Sequence, residues 1–307
     1  MAATPRGEGG PRLGAVELTR VALGCMPLSV GRGRERGLAN ETVAAALDAG
    51  VNLLDTADAY AIDESEFGHN ERLVAKALAA YQGGGGLRGG SSARPLVATK
   101  GGHVRHGYEW DLDGSPEHLK AACEASLERL GVESIDLYQL HWPDPETPFA
   151  DSVGALRDLR DAGKVRHVGL SNVSVAQLEE AERIVPIAAL QNQLSPAHTD
   201  PLRNGEVAAC EERGIPFLAW SPLGGFERGG EEPGGIDAIS AIAADRGVSP
   251  QRVALAWLLS LSPAIVPLVG ASRPATIQDS VAALELRLAD TELDRLYAEL
   301  APAPNRG

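Results

Sequence analysis

The most constraining feature of this sequence is one pattern that recurs eight times along its 307 residues. Each recurrence has a short apolar run, a polar or glycine-rich connection, and a longer segment rich in Ala, Leu, Glu and Arg. The apolar runs are predicted strands, at 21–26, 51–56, 95–100, 135–141, 166–172, 187–193, 216–222 and 264–270. Alternating strands and helices indicate an α/β fold with a parallel sheet, and eight units favour closure into a (β/α)8 TIM barrel.

The segments between these runs carry the start and stop signals of helices. Several end in glycine, as helix C termini do, at Gly50, Gly131, Gly163, Gly214 and Gly247. Ser115 and Ser249 each precede a proline, which places a capping residue before a first-turn proline. The predicted helices are 41–50, 70–81, 117–131, 150–163, 175–184, 206–214, 238–247, 251–260 and 276–286.

An open, doubly wound sheet is the competing architecture. It would usually place a glycine-rich turn directly between the first strand and its helix. GRGRERG at 31–37 is followed by LANETV rather than by an immediate helix, so it is a weak dinucleotide signal. Length alone allows two domains, but a hydrophobic content of 44% suits one large core. We therefore predict a single barrel domain over 1–307, with a flexible N-terminal segment and a flexible Gly-rich loop at 82–92.

Charge and hydropathy limit the expected partners. The formal net charge is −14, whereas phosphate backbones are bound by clustered Lys and Arg, so no nucleic-acid partner is expected. No segment approaches about 18 uninterrupted apolar residues and the N terminus lacks a signal-peptide core, which predicts a cytoplasmic protein with no membrane partner. Cys25, Cys123 and Cys210 lack the spacing of a zinc site or disulfide framework and are expected to be buried.

Four unlike polar residues fall at the carboxyl ends of neighbouring predicted strands. Asp55 and Tyr60 lie at and just beyond the second strand in NLLDTADAY, Lys100 ends the third, and His141 ends the fourth. Because neighbouring strand ends are close in a barrel, we expect the four to meet at one mouth, on the face that carries barrel active sites. Asp58 is interpreted as a solvated or capping acid.

These residue types together can transfer a proton. Asp55 would hold the Lys100 ammonium charged, and that ammonium favours the Tyr60 phenolate and lowers a pKa that is ordinarily about 10. His141 would hydrogen-bond and orient a substrate oxygen. The set is interpreted as a general acid that protonates a developing alkoxide. Because it lacks a nucleophile and metal-ligand spacing, a hydride donor would supply the rest of the reaction.

Residues at the ends of the later strands are candidates for holding that donor. Amide and hydroxyl side chains suit a carboxamide, and an aromatic face suits a flat ring. A helix N terminus after the eighth strand can bind phosphate, and the Arg273 guanidinium can add a charged, bidentate contact to it. The candidates are Ser171, Asn172, Gln191, Trp220, Ser221, Leu223, Gly270, Ser272 and Arg273.

Seven stretches of the chain, in the same order as in the family, resemble the aldo-keto reductase superfamily, and the resemblance extends from about the first strand to the C terminus. The matching stretches are GVNLLDTADAY with FGHNE, VATKGG, LYQLHWPDP, VGLSN, LQNQLSP, AWSPLGG and VGASRP. The resemblance implies NADPH-dependent reduction of an aldehyde or ketone. It implies Tyr60 as proton donor, Asp55 and Lys100 as its tuning pair, and His141 as the residue that orients the carbonyl.

The resemblance also implies cofactor contacts. Ser171, Asn172 and Gln191 would hold the nicotinamide carboxamide, and Trp220 would stack on the ring, where the family more often has tyrosine. Ser272 and Arg273 match residues that contact the 2′-phosphate.

The adenosine end departs from the family pattern. Asp279 and Ser280 stand where the family often has Glu and Asn, and Thr276 replaces a frequent Gln or Arg. Asp279 is still predicted to bind the cofactor. NADP(H) is expected in preference to NADH, and the strictness of that preference stays open.

The long connections after the third and seventh strands, 103–114 and 223–236, lie where barrel enzymes build substrate pockets. Tyr108 and Trp110 are expected to line the pocket with His103 and His106, and Trp142 to form another wall or pack nearby. A metal held by the two histidines with Asp55 or Asp144 is an alternative. Two loop histidines without a carboxylate pattern are a weak ligand set, so no metal is expected.

A second interpretation comes from a different functional class. Some members of the superfamily resemble cofactor-binding subunits that regulate membrane channels. Such a protein would keep the NADP(H)-binding residues and would turn over carbonyl substrates slowly. The first interpretation predicts a small-molecule carbonyl substrate. Abundant Ala, Gly and Arg point to a GC-rich bacterial genome, which suggests a keto sugar or another secondary metabolite as that substrate. A monomer or small homo-oligomer is expected from the resemblance.

Overall fold

The structure is a computed structural model that describes residues 10–30, 34, 37–82, 94–224 and 236–300. The predicted N-terminal segment before residue 10, nearly all of the Gly-rich loop, most of GRGRERG and most of the 223–236 connection lie outside these residues. Their predicted properties, and the prediction of a single domain over the whole chain, therefore remain predictions.

Eight parallel strands close into a barrel, as the repeating pattern predicts. Each barrel strand pairs in parallel with the next, and the last pairs with the first. The closed sheet excludes the open, doubly wound alternative. The barrel strands are β3 (Ala22–Gly24), β4 (Leu53–Asp55), β5 (Leu96–Gly101), β8 (Ile135–Leu140), β9 (Val165–Ser171), β10 (Ile187–Gln193), β11 (Phe217–Trp220) and β12 (Ile265–Gly270).

Helices connect successive strands around this barrel, and all nine predicted helices are confirmed. Ser115 and Ser249 accept the backbone N–H of His118 and Arg252 as N-caps, and the five predicted C-terminal glycines adopt positive φ. The helices are α1 (Met26–Ser29), α2 (Ala39–Asp48), α3 (His69–Ala80), α4 (Pro116–Leu130), α5 (Phe149–Asp161), α6 (Val175–Glu182), α7 (Asp200–Asn204), α8 (Glu206–Arg213), α9 (Asp237–Arg246), α10 (Pro250–Leu261), α11 (Pro274–Val281) and α12 (Asp290–Leu300).

Side-chain alternation along the strands places the polar residues inside the barrel mouth. An apolar cluster fills the lower interior with one residue from each of several strands, including Leu53, Ala98 and Leu137. Because side chains of a strand alternate between faces, the residue two positions further on points to the same side. Those positions are Asp55, Lys100 and Gln139, so the catalytic candidates form the next layer above an apolar core. The second, larger cluster lies between strands and helices and contains all three buried cysteines.

Several elements were not predicted. A short hairpin, β1 (Arg12–Leu13) and β2 (Val16–Glu17), contributes Leu13 to the lower interior cluster. A second hairpin, β6 (His103–His106) and β7 (Glu109–Leu112), occupies the long connection after β5. Helices α1, α7 and α12 were also missed. The hairpin β6–β7 matters most for function, because it overhangs the barrel mouth.

Candidate active site

Lys100 is the centre of the predicted catalytic group. Its side chain is completely buried, and its ammonium donates to Asp55 Oδ1 at 2.6 Å, the Thr56 carbonyl at 2.8 Å and Tyr60 OH at 3.1 Å. Three oxygens therefore satisfy the three ammonium hydrogens. The structure thus brings together Asp55, Tyr60 and Lys100, although 45 residues separate the first from the last.

A second set of contacts fixes the other carboxylate oxygen of Asp55. Gln191 Nε2 donates to Asp55 Oδ2 at 2.9 Å and to Gln139 Oε1 at 3.2 Å, and Gln139 Nε2 donates to Asp55 Oδ2 at 3.3 Å. Gln139 was not singled out from the sequence. The sequence feature that could have identified Gln139 is its position in β8, two residues before His141, which puts both side chains on the same face of the strand. Its side chain crosses the interior beside Gly169, where a Cβ would lie 2.9 Å from Gln139 Cγ.

The charges of the group differ in one respect from the sequence expectation. Burial disfavours the Lys100 ammonium, but the attraction of Asp55 and Tyr60 outweighs it, so the pKa of Lys100 lies above its ordinary value. Burial raises the pKa of Tyr60, and the lowering effect of Lys100 does not overcome it. The expected net lowering of the phenol pKa is therefore wrong in this state, because desolvation of the phenolate outweighs the ammonium. Tyr60 is accordingly held as a neutral proton donor.

His141 completes the predicted group. It follows β8, its backbone N–H donates to the Gly101 carbonyl at 2.9 Å, and its ring centroid lies 5.6 Å from that of Tyr60, edge to face. Burial lowers the pKa of His141 well below its ordinary value, and His103 and Lys100 lower it further. The imidazole is therefore neutral, which suits a hydrogen-bonding role better than a proton-donating one.

A cavity of about 510 Å³ opens beside these residues. Its size is in the range of small-ligand sites. Of the predicted residues, those with side chains or backbone on its wall are Asp55, Tyr60, His103, Trp110, His141, Trp142, Ser171, Asn172, Gln191, Trp220, Ser221, Leu223 and Gly270. Predicted catalytic, cofactor and substrate residues therefore share one cavity.

Asn172 links two sides of that cavity. Its backbone adopts φ of 60°, and its side-chain Nδ2 donates to the His141 carbonyl at 3.0 Å and to Ser171 Oγ at 2.9 Å. Its Oδ1 accepts the indole N–H of Trp220 at 3.0 Å. Both amide hydrogens and one lone pair of the amide oxygen are therefore committed to protein contacts. A tyrosine at position 220 would have no N–H to make the contact with Asn172.

The predicted phosphate-binding residues lie apart from the cavity wall. Arg273 is the exposed N-cap of α11, with Pro274 in the first turn and the helix N terminus open beside it. Ser272 precedes it. Asp279, on the same helix, accepts from Arg252 Nε at 3.1 Å and from Ser249 Oγ, so its carboxylate is held by α10.

The aromatic residues predicted for substrate binding do not behave alike. Trp110 and Trp142 are on the cavity wall, both partly exposed. Tyr108 is 74% exposed and lies in the turn of the β6–β7 hairpin, away from the cavity. The pairing of His106 with Glu109 leaves only Gly107 and Tyr108 in the turn, which projects Tyr108 into solvent. His106 is also exposed and outside the cavity wall.

His103 is the cavity residue with the least expected surroundings. Its ring packs edge to face on His141 with centroids 4.3 Å apart, and on Trp110 at 5.3 Å. From the sequence, His103 and His106 were both expected to line the substrate pocket, and the structure places only His103 of the two on the cavity wall. The position of His103 two residues after Gly101, the end of β5, was the available signal. Within the described part of the chain, no group of three or more His, Cys, Asp or Glu side chains is arranged to hold a metal ion.

No helix among the described residues has the length and apolar character needed to cross a membrane.

Comparison with known proteins agrees with this geometry. A 6-dehydroglucose reductase of Novosphingobium aromaticivorans is 36% identical over 262 residues, covering 83% of this chain and 83% of that protein. An uncharacterized oxidoreductase of Schizosaccharomyces pombe is 34% identical over 251 residues, covering 81% of this chain and 74% of the relative. The solved structure of a glycerol dehydrogenase from Gluconobacter oxydans superimposes with a TM-score of 0.78 at 28% identity, covering 97% of this chain and 98% of the other.

The sequence model of the aldo/keto reductase family matches residues 20–299, which include every barrel strand and every residue of the catalytic group. That match agrees with the closed eight-stranded barrel and with the similarity to oxidoreductases along most of the chain. The chain is an oxidoreductase and belongs to the aldo/keto reductase family.

Proposed function

We propose that this protein reduces an aldehyde or ketone with NADPH and that Tyr60 is its general acid. The observation that carries the proposal is the hydrogen bond that the buried Lys100 ammonium donates to the Tyr60 hydroxyl, 3.1 Å away, at the wall of the cavity. Few arrangements place a neutral phenol, a buried ammonium and a neutral imidazole around one small cavity for purely structural reasons.

The proposed chemistry divides between a cofactor and the protein. NADPH, when bound, supplies a hydride to the carbonyl carbon. The Tyr60 hydroxyl passes its proton to the carbonyl oxygen as negative charge develops there, and Lys100 stabilises the phenolate that remains. His141 orients the carbonyl oxygen by a hydrogen bond from a neutral ring. Asp55 keeps Lys100 charged and fixes its position.

The donors and acceptors near Trp220 fit the carboxamide of a nicotinamide. Ser171 Oγ accepts from Asn172, which leaves its own hydrogen to donate to a carboxamide oxygen. Gln191 uses its Nε2 on Asp55 and Gln139, while its Oε1 has no partner among the described residues and can accept a carboxamide N–H. Asn172 donates both of its amide hydrogens to protein atoms, so it has no donor left for the carboxamide and would act by positioning the site. Trp220 would stack on the ring.

The preference for NADPH rests on Arg273. Its guanidinium is exposed beside the N terminus of α11, where backbone N–H groups and the helix dipole favour an anion. The nearby Asp279 carboxylate is paired with Arg252, so its charge is partly neutralised and repels a phosphate less. Ser272 and Asp279 are proposed as further contacts of the adenosine end.

The substrate is proposed to be a small polar carbonyl compound. The relatives named above are, by their names, a reductase of a dehydroglucose and a glycerol dehydrogenase. A keto sugar or a polyol-derived carbonyl fits the cavity volume of about 510 Å³ and the aromatic wall of Trp110 and Trp142.

The test is NADPH oxidation, followed by absorbance, with the purified protein and a panel of aldehydes, ketones and keto sugars. NADH is run in parallel, and NADPH affinity is measured separately by fluorescence titration. Carbonyl-dependent oxidation of NADPH supports the proposal. Tight NADPH binding without turnover of any carbonyl contradicts it and favours a cofactor-binding regulatory subunit, and absence of binding contradicts both.

A further inference from the structure

We propose that His103 is a specificity-determining residue whose Nε2 accepts a hydrogen bond from a substrate hydroxyl next to the reacting carbonyl. The site would therefore prefer α-hydroxy aldehydes and α-hydroxy ketones to carbonyl compounds with plain alkyl substituents. This inference rests on the proposed reductase function, which it deepens by naming the substrate class.

The tautomer of His103 follows from one contact. Its Nδ1 lies 3.2 Å from the Asp111 carbonyl oxygen. A carbonyl oxygen can only accept, so Nδ1 carries the hydrogen and, in a neutral ring, Nε2 carries a lone pair. Burial lowers the pKa of His103, and the charges of Lys100 and Arg105 lower it further. The hydrogen bond to the Asp111 carbonyl raises it, but the net shift is downward. The ring is thus neutral near pH 7, and its Nε2 is an acceptor.

That acceptor belongs to the cavity. His103 is on the cavity wall, and Nε2 has no hydrogen-bond partner among the residues that the structure describes. The His141 ring lies against both of its neighbours, with centroid spacings of 5.6 Å to Tyr60 and 4.3 Å to His103. A carbonyl oxygen held between Tyr60 and His141 therefore places its neighbouring substituent towards His103.

The β6–β7 hairpin holds His103 in place before any substrate binds. Arg105 donates to the Ile62 carbonyl and stacks on Trp110 at 4.2 Å. At the turn, the backbone N–H of Glu64 donates to the Gly107 carbonyl at 3.2 Å, and Gly107 N–H donates to Glu64 Oε2 at 3.1 Å. These contacts tie the hairpin to the segment that follows Tyr60, so little ordering remains to oppose binding.

The polarity of the site then distinguishes substrates. The carbonyl oxygen needs donors, which Tyr60 and His141 provide, whereas an adjacent hydroxyl is itself a donor and needs an acceptor. An alkyl group in that position would remove water from His103 Nε2 without replacing its hydrogen bond, which costs binding free energy. Hydroxyacetone and butanone form a matched pair, because they differ only in a hydroxyl that replaces a methyl group.

The experiment compares kcat/KM for hydroxyacetone and butanone, and for glycolaldehyde and propanal, at saturating NADPH. We expect the wild-type protein to favour the hydroxylated member of each pair by about 3- to 10-fold, the size of one neutral hydrogen bond. His103→Phe keeps a flat ring against His141 and removes the acceptor, so the ratio should fall towards one. His103→Asn, which restores an acceptor oxygen, should recover part of the ratio.

His106→Phe is the matched control, because His106 is in the same hairpin but exposed and outside the cavity; it should leave both ratios unchanged. His103→Leu repeats the removal with a smaller side chain, so the test does not depend on one variant folding. Wild-type ratios near one, or ratios that survive both His103→Phe and His103→Leu, overturn the inference while leaving the reductase function intact. No turnover of any of the four substrates, or of the wider carbonyl panel, overturns both.

Discussion

In the proposed catalytic group, Lys100 is fully buried and donates to three oxygens, whereas Arg273, at the proposed phosphate site apart from the cavity wall, is exposed and makes no ion pair among the described residues. The charges of the proposed catalytic group are preorganised by one another in a region of low dielectric. The proposed phosphate site offers a solvated charge and a helix N terminus. This difference indicates that loss of a catalytic contact should be severe and coupled, while loss of a phosphate contact should be moderate and separable.

The largest effect is expected from Lys100→Met. Without the ammonium, the Tyr60 phenolate loses its stabilising charge, so kcat should fall by about 10²- to 10⁴-fold. The variant also leaves Asp55 buried and unpaired, which should lower the free energy of unfolding by about 3–5 kcal/mol. Carbonyl-dependent NADPH oxidation and urea denaturation measure the two effects.

Lys100→Met combined with Asp55→Asn separates these effects. The double variant should regain part of the lost stability, because no unpaired charge remains, and should stay inactive. Recovery of turnover in the double variant would show that Lys100 serves only to neutralise Asp55.

Arg273→Ala should have a smaller effect and only on one cofactor. Loss of a charge-assisted contact to the 2′-phosphate should weaken NADPH by about 10- to 100-fold and leave NADH nearly unchanged, as measured by fluorescence titration of both cofactors. Because Arg273 does not contact the catalytic group, kcat at saturating NADPH should stay within about twofold, allowing for the approximate additivity of distant sites. Equal losses for NADPH and NADH would remove Arg273 from 2′-phosphate recognition.

Burial of His141 gives the catalytic end a pH dependence. Its folded-state pKa lies well below the ordinary value of 6.5, so the unfolded chain binds a proton that the folded protein excludes. Stability is therefore complete above about pH 6.5 and declines as the pH falls below it, by up to about 1.4 kcal/mol per pH unit for one histidine.

His141→Phe should reduce this acid-side slope in urea denaturation between pH 5 and 8. His103, His69 and His167, whose pKa values burial also lowers, should keep it above zero. His106→Phe, at an exposed position outside the cavity wall, is the control for the loss of an imidazole. An unchanged slope in His141→Phe would mean that His141 is not desolvated as described.

The smallest effect concerns the contact between the two sides of the cavity. Trp220→Phe keeps an aromatic face and removes the N–H that holds Asn172 Oδ1, which should weaken NADPH by about 3- to 10-fold. Trp257→Phe is the matched control, since the Trp257 indole N–H is buried in α10 without a partner among the described residues. If both variants bind NADPH equally well, the indole N–H does not position Asn172.

Much of this site could be predicted from sequence because strand ends obey a simple geometry. Asp55, Lys100 and Gln191 occupy inward positions of parallel strands, so alternation alone places them at one mouth. The eight strands and nine predicted helices followed from the same periodicity and its caps. Site residues after the strands, such as Asn172 and Ser221, adopt positive φ, which short-range patterns do not indicate for residues other than glycine.

Energetic balances and loop structure were not predictable in the same way. Asp58 was interpreted as solvated or capping, yet it is fully buried, neither carboxylate oxygen has a partner among the described residues, and burial together with Glu71 raises its pKa well above the ordinary value. The direction of the Tyr60 pKa shift depended on desolvation, which the sequence does not show. Both Tyr108 and His103 were predicted to line the pocket. The pairing register of the β6–β7 hairpin, which the sequence does not show, places Tyr108 in the exposed turn and His103 at the base of the hairpin.

The most direct test of the account is a side-by-side measurement of kcat and NADPH affinity for Tyr60→Phe. The variant keeps the ring beside Lys100 and removes the hydroxyl that carries the transferable proton, so kcat should fall by about 10²- to 10⁴-fold while the NADPH Kd stays within about twofold. Near-wild-type kcat in a folded Tyr60→Phe protein would contradict the assignment of Tyr60 as the general acid.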